Sequence, residues 1–205
     1  PVAVAFSFDL WNEFLDQTLT PHEGVVIEAG GYLLFWADND EEQGALHTNF
    51  KLSADGEYIG LYDSDRTTLI DGLSFGPQSG DVSYGRSPDG NDNWVFFSGG
   101  TATPNSTNTG SGGPTEGLFI NEFMADNDST IQDPEGSGYP DWIELYNAGP
   151  SAIELGGMYL TDDESDPTKW MIPAGISGST LRQEIANRLG GYSYPPADIA
   201  ALSAD

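Results

Sequence analysis

Hydrophobic spacing changes three times along this chain. Residues 2–6 form a short apolar run of strand length, after which Leu10, Trp11, Phe14, Leu15 and Leu19 recur at helical spacing, with Ser7 or Asp9 placed as a cap and Thr20-Pro21 as a stop. From Val25 to Phe97 the pattern turns to short strands, predicted over 32–36, 57–62, 68–75 and 94–97, with turn clusters such as Ala54-Asp55-Gly56 and Pro88-Asp89-Gly90 between them. A stretch rich in Gly, Ser, Thr and Asn follows, and further strands are predicted over 118–124, 142–147 and 158–160, joined by acidic loops. The last change is back to helix: Thr180 with Gln183 makes a capping box, Leu181, Ile185 and Leu189 form one stripe, Gly190-Gly191 stops it, and Pro195-Pro196 opens a final short helix.

This pattern divides the chain into five segments: an N-terminal strand and helix (1–23), a strand-rich stretch (24–98), a linker (99–117), a second strand-rich stretch (118–176) and a C-terminal helical segment (177–205). The fold class is mainly β, with short helices at both termini. Abundant glycine and proline suit short strands joined by tight turns, and 205 residues suffice for one main β core plus additions. The apolar stripes of the terminal helices need a surface to cover, either each other and the β core or a neighbouring subunit. The chain starts at Pro1 rather than Met, the expectation for a processed or excised piece of something longer.

Charge narrows the partners. Thirty-three acidic residues against six basic ones leave a formal net charge of −27, which argues against nucleic acid and anionic membranes and for a salty or extracellular medium or bound calcium. No cysteine is present, so disulfides and sulfur-ligated metals are excluded and stability must come from packing and ions. Apolar runs are strand-sized, too short for a helical membrane span.

From Leu118 onward the residues include INE, then an acidic loop, DWIELYN and LGGMYL, followed by DPTKW and IPAG. Residues 27–94 include IEAGGYLLFWADND, GALHTNFKLSADGEYIGLYD and GDVSYGRSPDGNDNW. The first set resembles the first half of a bacterial lamin-tail domain, and the second set resembles its second half. The resemblance implies an immunoglobulin-like β-sandwich, with the two halves in reversed order. Either the linker joins them inside one molecule as a circular permutant, or each half completes the sandwich of a neighbour, head to tail. At roughly 5–6 Å × √n the linker spans about 25 Å, which allows both.

Candidate chemistry is mostly carboxylate. Asp126, Asp128, Asp133, Glu135 and Asp141 crowd a glycine-bearing loop with the oxygen donors calcium takes, although without EF-hand spacing. Asp38, Asn39 and Asp40, and the group Asp162, Asp163, Glu164 and Asp166, are smaller clusters of the same kind. Glu122 and Glu144 fall inside strands, so they need partners, for which Lys51, Lys169 or backbone amides are the candidates. His47 falls in a turn where packing is the ordinary role, and His22 lies in the N-terminal segment. No phosphate loop, no G-x-S-x-G and no H-E-x-x-H occurs. The reading is a non-catalytic extracellular module, secreted or on the cell surface. It is expected either to assemble with copies of itself head to tail as a filament subunit, or to serve as a monomeric, calcium-stabilised module that binds other extracellular proteins.

Overall fold

The structure, a computed structural model, describes residues 24–175 except Glu135 and Ser137. The predicted strand over 2–6, the helices expected at both ends and the candidate ligand Glu135 therefore lie outside the described residues.

The described chain is mainly β. Its strands are β1 (Val26–Ile27), β2 (Tyr32–Ala37), β3 (Tyr58–Tyr62), β4 (Leu69–Ser74), β5 (Ser83–Arg86), β6 (Trp94–Phe97), β7 (Leu118–Met124), β8 (Asp141–Asn147), β9 (Ile153–Glu154), β10 (Tyr159–Thr161) and β11 (Trp170–Met171). The seven strands predicted within the described residues all form, with ends shifted by a residue or so. The four that sequence reading left out are β1, β9 and β11, each two residues long, and β5, whose Ser-Tyr-Gly-Arg has no apolar alternation.

Every sheet is antiparallel, and every sheet mixes strands from the two halves. The five-stranded sheet runs β2-β8-β7-β5-β6, the four-stranded sheet runs β11-β10-β3-β4, and β1 pairs with β9. Strands of 118–171 thus lie between, or beside, strands of 26–97 in all three. Asn147 adds a side-chain tie across the same division, donating from Nδ2 to the carbonyls of Glu28 at 3.0 Å and Ser151 at 2.8 Å.

Alternation along the central strands fills two cores. On one face of the five-stranded sheet, Phe35, Ile143 and Phe123 sit in cross-strand register, with Leu145 and Ile120 beside them. They pack against Ile59 and Leu61 of β3, Leu160 of β10 and Trp170 of β11, an arrangement of β-sandwich type. Phe35 meets the Trp170 ring edge-on at 5.8 Å, which fastens the two sheets together. On the opposite face Leu34, Trp36, Met124 and Trp142 form a second, smaller cluster. Because both faces are covered, LFINEFM and DWIELYN read as nearly continuous apolar runs rather than as alternating ones.

A bulge in β7 is closed by one of the few cations. The register of β7 on β8 shifts between Ile120 and Glu122, so Asn121 is an extra residue. Beyond this point β5 no longer pairs with β7, and side chains take over the ladder. Arg86 Nε donates to the Ile120 carbonyl at 2.8 Å, and the Ile120 amide donates to Asp71 Oδ2 at 2.8 Å. The guanidinium in turn grips both Asp71 oxygens at 3.0 and 2.9 Å and lies 4.7 Å above the Trp94 ring. One ion pair thereby links β4 of the smaller sheet to β5 and β7 of the larger.

Arg86→Met is expected to cost about 3 kcal/mol, because it strips the partner from a largely buried Asp71 and leaves the Ile120 carbonyl without its donor. Urea unfolding should show a lower midpoint at unchanged m; a loss under about 0.5 kcal/mol would show that the clasp is incidental.

Candidate functional site

The polar centre of the molecule lies on the outer face of the five-stranded sheet. Glu122 of β7 and Glu144 of β8 are cross-strand partners, both with 0% exposure. The neighbouring strand makes room for them: Gly85 opposes Glu122, and a Cβ there would come within 2.9 Å of Glu122 Cγ. Like charges directly opposite one another repel, and burial withholds water, so two such carboxylates need dense hydrogen bonding or a proton.

The segment 99–117 supplies much of it. The Thr103 amide and hydroxyl both donate to Glu122, and the Asn105 amide donates to Glu144 Oε2 at 2.5 Å. From the sheet itself, Ser83 Oγ donates to Glu122 and Asn121 Nδ2 to Glu144 Oε1 at 3.0 Å. A third carboxylate, Asp89 in the turn after β5, accepts from the Asn108 amide at 2.9 Å, Asn121 Nδ2 at 3.0 Å and the Tyr32 hydroxyl at 2.8 Å. Asn108 closes the ring by donating to the Arg86 carbonyl at 2.7 Å, with its Oδ1 also beside the Thr103 hydroxyl. Ala102 completes the cover by packing on the Leu34, Trp36, Met124 and Trp142 cluster.

Composition alone describes 99–117 as a linker; the fold turns it into a strap. Its small and amide-bearing residues suit the task, because backbone N–H groups can approach a buried carboxylate only where side chains leave space. Neither lysine serves the buried pair. Lys169 Nζ instead pairs with Asp162 at 2.5 Å, and Lys51 stands opposite Asp38 in an isolated bridge.

Burial pushes the Glu144 carboxyl up to about 8, with the charges of Glu122 and Asp89 adding to the rise against its hydrogen bonds. Glu122 moves in the same direction, again chiefly by burial. Exposed carboxylates go the other way: hydrogen bonds from Thr68 and Thr67 hold Asp65 at about 2, and those from Ser129, Thr130 and the Asp128 amide lower Asp81.

The loop expected to bind calcium is organised by other residues. Asp81 reaches across to accept from the Asp128 and Ser129 amides at 3.0 and 2.7 Å, while Asn127 caps the Thr130 amide and donates to the carbonyls of Ile131 and Pro140. Asp126 and Asp128 present carboxylate oxygens beside Gly80, and Asp141 accepts from the Asn127 amide at 3.4 Å. Among the described residues this set does not converge on one point: Asp133 alone of it joins a group with ligand spacing, and that group contains Asp38 and His47. His47 and Asp89 were legible only as turn residues, and Thr103, Asn105 and Asn108 only as linker. What could have singled them out is the absence of lysine partners for two strand carboxylates.

No family model, curated protein or solved structure gives a significant match to this chain.

Because burial raises the Glu144 carboxyl to about 8 while in the unfolded chain it titrates near pH 4.5, its contribution to stability is fully present below that pH and is lost as pH rises toward about 8, and Glu122, raised in the same direction, adds to it with the same sign. Denaturant midpoints measured between about pH 5 and 8 should therefore fall with rising pH. Glu144→Gln, which mimics the protonated carboxyl, should flatten that slope and leave the variant more stable than the wild type at the alkaline end. A slope unchanged by Glu144→Gln would show that Glu144 does not titrate in that range.

Proposed function

We propose that this chain is a non-catalytic extracellular module, secreted or on the cell surface, built on a lamin-tail-type immunoglobulin-like sandwich in circularly permuted order and closed within one molecule. The observation that carries the reading is the interleaving of strands: β8 and β7 stand between β2 and β5 of one sheet, and β10 stands against β3 in the other. The strap supports the same closure, since residues 99–117 join the two halves while lying against both Glu122 and Glu144. Its place on the sheet gives the stretch a structural task besides connection.

The non-catalytic part of the reading rests on how the polar centre is used. Two adjacent carboxylates invite comparison with a glycosidase pair, yet Glu122 and Glu144 are sealed at 0% exposure and bound by the chain's own amides and hydroxyls. They hold structure in place. The strongly acidic surface, at a formal net charge of −27, suits a module that stays dissolved in a saline medium and meets other extracellular proteins.

Exchange of the same pairings between chains would give a filament of subunits completed head to tail, with contacts identical to those inside one chain. Light scattering behind a sizing column, over a range of concentrations and with and without a chelator, separates the two. A mass near 21.9 kDa at every concentration is expected for the self-closed module. Masses that climb in steps of one subunit would overturn self-closure in favour of exchange.

A further inference from the structure

Asp38, His47 and Asp133 each bring a ligand atom within 4.8 Å of the others. They come from three stretches of chain: Asp38 from the residue after β2, His47 from the return that follows the 3-10 turn Glu41–Gln43, and Asp133 from the loop between β7 and β8. Backbone pairing fixes the first two. Trp36 bridges His47 and Asp38 bridges Lys51, while the Thr48 amide donates to the Trp36 carbonyl at 2.9 Å and the Asp40 amide to the Thr48 carbonyl at 3.1 Å. The donors are therefore placed by a ladder before any ligand arrives.

The group is enclosed. His47 is 2% exposed and Asp133 3%, and His47 Nδ1 is hydrogen-bonded to Asp38 Oδ2 at 2.7 Å, a bond that an ion held by both atoms would replace. Gln43 Nε2 donates to Asp40 Oδ2 at 2.9 Å. Gly136 packs closely on the group: a Cβ there would overlap the Asp133 carboxylate and lie 2.6 Å from Gln43 Oε1. An imidazole, two carboxylates and a side-chain amide thus lie together at one enclosed place.

The donor types select among cations. Calcium takes six to eight oxygens and has little use for an imidazole, whereas zinc and its neighbours take nitrogen and carboxylate oxygen at low coordination number.

We propose that Asp38, His47 and Asp133 bind one divalent ion of the zinc class, with Gln43 at its margin. The ion pins the 125–140 loop to the end of β2. Asp38 and His47 belong to one half of the sandwich and Asp133 to the other, so the ion also joins the halves. The site forms equally in a self-closed chain and in an exchanged one, so its fate and that of the proposed function are read by separate experiments.

The test uses the full chain after chelator treatment. Titration calorimetry with zinc chloride should give one ion per chain, and zinc should raise the melting temperature where equimolar calcium does not. Cobalt(II) should give the visible absorption of a low-coordinate nitrogen and oxygen site. Because the chain has only two histidines, nitrogen-15 labelling of histidine reads the ligand directly in the wild-type protein: one imidazole should shift on zinc addition. His22→Gln should leave that shift in place, and His47→Gln and Asp133→Asn should each weaken zinc at least tenfold. Binding that His22→Gln abolishes, zinc and calcium bound alike with no imidazole shift, or zinc affinity unchanged by Asp133→Asn would each overturn the proposal.

Discussion

The insertion of the β7–β8 pair between β2 and β5 is the constraint on which the rest depends. With strands of the C-terminal half at the centre of the larger sheet and strands of the N-terminal half on its flanks, neither half has a paired edge or a covered apolar face until the other arrives. Phe35, Ile143 and Phe123 make one row only when three strands from both halves are in register. Much of the core is therefore built from contacts distant in sequence, and stability is shared between the halves.

Covering both faces of that sheet created a chemical problem that the chain solves with backbone amides. Two glutamates fall on the outer face, and among the described residues no lysine or arginine pairs with them. The strap brings the Thr103 and Asn105 amides, the sheet brings Asn121 and Ser83, and burial raises the proton affinity of both carboxyls. The scarce arginine goes instead to the bulge at Ile120–Glu122, where the ladder loses its backbone partner and a guanidinium can both donate and neutralise. Each device answers a local deficit left by the strand pairing.

Acidity in this protein works in two opposite ways. On the surface, Asp65, Asp81 and Asp163 shape turns by accepting nearby amides and hydroxyls, and those bonds lower their affinity for protons. Inside, Glu144 and Glu122 are raised, burial being the larger cause for both. The same residue class therefore favours the fold when charged at the surface and when protonated in the interior. Burial raises Glu57 and Asp141 as well, to about 7 and about 6, so the response of stability to pH between weakly acid and neutral conditions belongs to all four.

The sequence by itself determined the strands that carry a clear hydrophobic signal, because alternation or a continuous apolar run states which residues seek burial wherever they end up. It also determined that Glu122 and Glu144 would need partners and that lysines were too few to provide them. Only the tertiary structure decided who those partners are: Thr103 and Asn105 lie about twenty to forty residues away in a stretch whose composition says only that it is flexible. β5 was illegible for the same reason, since Ser83 and Arg86 are buried for their hydrogen bonds to Glu122 and Ile120 rather than for apolar surface. The acidic loop was visible as charge, but charge density does not specify direction. Asp133 turns toward Asp38 and His47 because Asp81 and Asn127 fix the loop around it, and that geometry arises only when the two halves are folded together.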